Sequence, residues 1–183
     1  MFNRGEILRT HVLRPTWHFV LPSDIRWMLS LTGARVNGPM SSFYRRWGLD
    51  EATFTASRKV IARVLRDGRH AMRRELALAL EKAGLVKRQE GALRIIGLLL
   101  RAELDALICS GPMVGNQCTY ALFDQRAAPS RRLTHEEARA ELARRYFRSH
   151  GSATVNDFRR WSILTASDAR AGLATSRRNS ITR

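Results

Sequence analysis

Residues 9–20 read RTHVLRPTWHFV and carry four side chains able to meet an anion or hold a proton: Arg9, His11, Arg14 and His18. Strand alternation places Arg9 and His11 on one face, where they could lie against the phosphates of DNA. The alternative is that the imidazoles are buried or hydrogen-bonded within the fold. Two histidines also raise the question of a metal. No third or fourth ligand lies at a suitable spacing, so neither a metal nor another cofactor is expected.

Further candidates lie downstream. Arg73 and Arg74 open a helical stretch, where they could meet phosphate or face solvent. Arg94 and Arg101, seven residues apart, share a face of a later helix. That face could contact phosphate or guanine, or be a solvated face opposite a Leu/Ile core. GPMVGNQ (111–117) has the glycines of a tight turn, and Asn116 and Gln117 could touch the DNA backbone or the minor groove. It could equally be a polar hairpin turn. The run Arg139, Arg144, Arg145 and Arg148 suits a solvated helix face with i,i+4 pairing, such as Glu141 to Arg145. Trp17, Trp27 and Trp47 are expected in the core. No catalytic set emerges: GxSxG, the Walker loop and HExxH are all absent.

The whole composition points the same way. Lys+Arg is 32 against Asp+Glu 16, a formal net charge of +16, and nearly all of the positive charge is arginine. Such an excess favours a polyanion, most simply double-stranded DNA, although a genome that favours Arg codons would also produce it. The chain of 183 residues is 44% hydrophobic, enough for a packed core. Cys109 and Cys118 flank a turn, which allows a cross-hairpin disulfide or free thiols. No apolar leader or membrane-length run is present, so a cytoplasmic, nucleoid-associated protein without a membrane partner is expected.

These residues need elements to hold them. ILRTHVL and TWHFV read as two short strands broken at Arg14-Pro15. Ser23 is expected to cap the helix SDIRWMLSLTG and Gly33 to stop it, with Ile25, Met28 and Leu29 facing inward. A helix over about 37–47 is allowed despite Gly38-Pro39. Helices then follow over 51–66, 72–83 and 91–104, the last with Leu93, Ile96, Leu100 and Leu104 inward. A hairpin, LDALICS to CTYALFD, comes next. Three helices followed by a hairpin is the order of a winged helix. RAAPSRRLT (126–134) reads as a linker. Thr134 with Glu137, Thr154 with Asp157 and Thr165 with Asp168 mark three further helix starts.

Three blocks in this order, RTHVLRPTWHFVLPSDIRWMLSLTGARV, RAELDALICSGPMVGNQCTYALFDQR and THEEARAELARRYFRSHGSATVNDFRRWS, resemble the bacterial winged-helix DNA-binding family that includes the AlkZ/YcaQ-type DNA glycosylases. The resemblance implies tandem winged helices around DNA, and excision of alkylated or crosslinked bases. It makes RTHVLRPTWHFV the hairpin closing a first winged helix. It also implies that the catalytic Gln-x-Gln or Gln-x-Asp motif belongs to a segment before it. Gln89, Gln117 and Gln125 form no such motif, so no catalytic residue is carried over. Met72 stands where the family's capping Thr is usual. Arg160-Trp161-Ser162-Ile163-Leu164 stands where the family has Trp-Trp-Ser-Gly-Leu.

The expected fold is therefore mainly α with short β hairpins, in tandem winged-helix units truncated at both ends. Residues 1–49 would end a first unit and link it onward. Residues 50–127 would be a whole middle unit, 128–176 part of a third, and 177–183 a disordered basic tail. The expected function is DNA binding by a relative of a repair glycosylase. The alternatives are an active glycosylase, a winged-helix transcription regulator and a poorly folding gene remnant.

Overall fold

The computed structural model describes residues 1–87, 91–127 and 132–181. It opens with β1 (Leu8–His11) and β2 (Trp17–Val20), an antiparallel hairpin in which Arg9 lies opposite Phe19 and His11 opposite Trp17. Arg9, His11, Trp17 and Phe19 therefore share one face, and Leu8, Thr10, His18 and Val20 share the other. Helix α1 (Pro22–Asn37) follows, with Pro22 at its first turn and no side-chain cap. The expected stop at Gly33 does not occur. A Cβ there would sit 3.2 Å from the Leu104 carbonyl oxygen, so the glycine serves close packing rather than termination.

A single 3-10 turn over Gly38–Met40 leads to α2 (Ser41–Arg46) and α3 (Glu51–Leu65). Asp50 caps α3 by accepting from the Thr53 N–H at 2.8 Å. Strand β3 (Ala71–Met72) runs directly into α4 (Arg73–Lys82). Met72 offers α4 no cap, and only the reverse bond is made, from the Met72 N–H to Glu75 at 2.7 Å. Gly84, at φ +71, turns the chain so that the Leu85 N–H reaches the Leu80 carbonyl at 3.0 Å.

Helix α5 (Gly91–Leu104) buries Leu100 and Leu104 as expected, but its first half departs from the expectation. Leu93 and Ile96, expected inward, are exposed, while Leu98, Leu99 and Ala102 are buried. Strands β4 (Ile108–Val114) and β5 (Gln117–Leu122) follow, in a sheet of order β3-β5-β4. Most of GPMVGNQ is therefore strand, with a register shift between Ser110 and Met113. The turn proper is Gly115-Asn116, with Gly115 at φ +58.

After α6 (Phe123–Arg126), the linker at 128–131 lies outside the described residues. Reciprocal capping boxes open α7 (His135–Ser149) at Thr134/Glu137 and α8 (Val155–Ser162) at Thr154/Asp157. Helix α9 (Ala166–Ile181) is longer than expected and runs through most of the segment read as a disordered tail.

Two apolar cores organise the chain. One gathers the hairpin, α1, α7 and α8 around Leu8, Ile25, Leu142 and Phe158, so the first and last segments share one interior. The other gathers Phe54, Ile61, Leu76, Leu80, Leu98 and Ile108 from α3, α4, α5 and β4. Trp27 is buried, but Trp17 is 50% exposed and Phe19 69%, so the outer hairpin face is not core. Cys109 and Cys118 are free thiols, and they sit opposite Ala121 and Met113 rather than each other. Among the described residues, no helix is long and apolar enough to cross a membrane.

Candidate nucleic-acid interface

Strand β1 meets β4 and α5 along one seam. The Arg9 N–H donates to Ser110 Oγ at 2.8 Å, and the His11 N–H donates to Glu103 Oε2 at 3.0 Å. The same Glu103 oxygen contacts His11 Nδ1. Glu103 is 1% exposed, and a carboxylate so deeply buried needs a partner, which His11 supplies.

Beside His11 lies a cavity of about 300 Å³, lined among others by His11, Trp17, Arg73, Ile96 and Tyr120. The Arg9 guanidinium stands 4.0 Å from the Trp17 ring centre, a cation–π contact that holds the indole at the edge of the cavity. Burial and the Glu103 charge push the Tyr120 phenol up, which keeps it protonated.

Arg73 reaches this place through backbone pairing. Met72 lies opposite Thr119 across β3 and β5. The next residue, Arg73, therefore begins α4 beside the wing strand, whose exposed tip holds Asn116 and Gln117. Arg73 and Arg74 are both exposed, and both line a second cavity of about 290 Å³ with Lys87.

The other sequence candidates go elsewhere. Arg94, expected with Arg101 either to contact DNA or to be a solvated face, donates to backbone carbonyls: Nε to Leu85 at 3.0 Å, and Nη1 to Trp47. Arg101 is only 14% exposed. It is held by Glu51 at 2.8 and 3.1 Å and by Asp105 at 3.0 and 3.1 Å, with its guanidinium over Phe54. Both arginines bind α5 to neighbouring segments. Arg14 reaches the Arg160 carbonyl at 3.4 Å. His18 Nδ1–H donates to the Thr16 carbonyl at 2.9 Å, and burial holds the ring below the ordinary imidazole range.

Of the candidates, then, Arg9, His11 and Arg73 come together, Asn116 and Gln117 stand at the wing tip, and Arg74 stands beside Arg73. Sequence reasoning missed Trp17 as a site residue, together with Ile96, Tyr120 and Glu103. A signal for Glu103 was present: a lone carboxylate in the run LLLRAEL.

The model of the AlkZ-like DNA glycosylases matches residues 1–182. The chain belongs to the AlkZ-like DNA glycosylase family. Its fold is similar to that of the Streptomyces sahachiroi DNA glycosylase AlkZ, with a TM-score of 0.69 and 23% identity. That match covers 93% of this chain and 47% of the other, so this AlkZ-like chain spans about half the length of its structural relative. No curated protein matches the sequence.

Proposed function

We propose that this AlkZ-like chain binds double-stranded DNA with little sequence preference, through tandem winged-helix elements. The order α3, α4, α5 and then β4–β5 supports a middle winged helix over 50–127, with the elements of two more in 1–49 and 128–176. The observation that carries the reading is the exposed arginine pair, Arg73 and Arg74, at the start of α4 beside the wing tip. A net charge of +16 supplies the wider field. Phosphate contact of this kind releases counterions, so affinity falls steeply with salt.

The test is anisotropy of a labelled duplex titrated at several salt concentrations. Arg73→Ala and Arg74→Ala should each lower the salt slope by about 1. Arg101→Ala should leave the slope unchanged, because that side chain is committed to Glu51 and Asp105. Absence of duplex binding at low salt, or a slope untouched by both α4 variants, overturns the reading.

Family membership favours a second reading, excision of alkylated or crosslinked bases. A glycosylase must take the base out of the stack and direct water to its sugar. Release of 7-methylguanine from duplex DNA by the purified chain would establish it. Because Gln89, Gln117 and Gln125 form no Gln-x-Gln motif, such release would have to use other groups. A strong preference for one palindromic sequence would instead favour a transcription regulator.

A further inference from the structure

We propose that the cavity between α7, α9 and the start of α8 binds an amphiphilic anion, a small molecule with an apolar body and a carboxylate or similar oxyanion head. The proposal is independent of the duplex-binding reading above and uses none of its residues.

The shape comes first. The cavity has a volume of about 830 Å³, within the range of about 300 to 1,000 Å³ of small-molecule sites, which often lie between packed helices. Two helical stripes line it. Arg144, Phe147 and Arg148 are spaced i, i+3, i+4 on α7, and Leu173, Ser176 and Arg177 repeat that spacing on α9. Ala153, Thr154 and Val155 supply a third wall where α8 begins.

The apolar part of this lining is held in place without a ligand. Phe147, Ala153 and Val155 pack against the first core. The Phe147 ring centre lies 5.2 Å from that of Tyr146 and 5.6 Å from that of Phe158. Thr154 Oγ1 donates to Asp157 at 2.7 Å and accepts from its N–H at 3.2 Å, which fixes the start of α8. A ligand therefore meets a surface that needs little ordering.

The cations are not equivalent. Arg144 is already held by Glu141, at 2.9 and 2.7 Å. Arg148 and Arg177 are exposed, and neither makes a hydrogen bond or ion pair among the described residues. Each offers a planar fork of N–H donors, the geometry that a carboxylate accepts. A simple anion would satisfy the two guanidiniums and leave the apolar walls in water. A neutral apolar ligand would cover the walls and gain nothing from the charge. A ligand with both parts uses the whole lining.

The probe is decanoate below its micelle concentration, titrated into the full chain by calorimetry. A single site should appear, with affinity rising by up to about fourfold per methylene from octanoate to decanoate, as burial of the tail requires. Decanol and acetate each carry half of the ligand and should bind at least about tenfold more weakly. Arg148→Gln and Arg177→Gln should each weaken decanoate by about tenfold. Both side chains are exposed and unpartnered, so the variants keep the fold, which circular dichroism checks. Arg170→Gln removes the same charge from an exposed position of α9 outside the cavity and should leave affinity unchanged. Many weak sites, no dependence on tail length, or equal loss in all three arginine variants overturns the pocket in favour of diffuse attraction to a cationic surface. Absence of decanoate binding overturns it outright. If Arg148→Gln and Arg177→Gln then lower duplex affinity, the two arginines are phosphate contacts instead.

Discussion

Ile163 ends α8 in the left-handed region, at φ 56 and ψ 16. A β-branched residue there is strained, because its Cβ crowds the following carbonyl oxygen, at roughly 1–2 kcal/mol for an L-residue. The family pattern that the sequence resembles has glycine at this place. Comparing Ile163→Gly with Ile163→Ala isolates the backbone cost, since both remove the partly buried side chain that packs on the first core. At an ordinary helical or strand position, Ala is more stable than Gly by roughly 0.5–1 kcal/mol. Here the order should reverse. Relief of strain, less the greater freedom of glycine in the unfolded chain, leaves Gly ahead by about 0.5–1 kcal/mol. For a chain of this length, that is about 1–4 °C in Tm. Thermal unfolding followed by circular dichroism, with a urea midpoint as a second measure, reads the difference. If the Ala variant melts at the same temperature as the Gly variant or above it, the left-handed turn is not imposed by the fold, and the reasoning fails.

Further outcomes follow from the same kind of accounting. Met72→Thr should stabilise the chain by about 1 kcal/mol, because Thr would accept from the N–H of Glu75 and complete a box now half made; an unchanged urea midpoint would count against it. The hydrogen bond from Arg144, with further help from Arg145, holds the Glu141 carboxyl down to about 2. A depressed carboxylate stabilises the fold above its unfolded pKa, so this contribution should fade as pH falls from the ordinary glutamate range of ~4.3 toward about 2, and Glu141→Gln should flatten that part of the stability profile. Burial pushes the Cys109 thiol up to about 12, so a thiol reagent should titrate Cys118 in the native chain and reach Cys109 only on unfolding; equal rates at both would refute this.

Much of the scaffold was legible because its signals are local. Thr134 with Glu137 and Thr154 with Asp157 each mark a helix start through hydrogen bonds that span three residues. The pause at Arg14-Pro15 marks the hairpin for the same reason, since proline fixes its own φ and removes a donor. Gly33 misled because a glycine inside a helix can be there for its size as easily as for its conformation. What decides between these is Leu104, seventy-one positions away, whose carbonyl leaves no room for a Cβ.

The contacts of the two arginines of α5 were hidden in the sequence for a deeper reason. The helix is apolar on several sides, with Leu93, Ile95, Ile96, Leu98, Leu99, Leu100 and Leu104 in fourteen residues. Periodicity in such a segment does not fix which side faces the core. The phase is set from outside, by Glu51 and Phe54 on α3 and by the Trp47 and Leu85 carbonyls, all of which claim Arg101 or Arg94. Once those claims are met, Ile96 must turn toward the hairpin, and Glu103, seven positions on, turns with it toward His11. The walls of the cavity beside His11 come from four separate stretches, at His11 to Trp17, Arg73, Ile96 to Leu100 and Tyr120, so no local spacing could have announced it. Arg94 and Arg101, which the sequence allowed either to meet DNA or to face solvent, also hold α5 to α3 and to the Trp47 and Leu85 carbonyls.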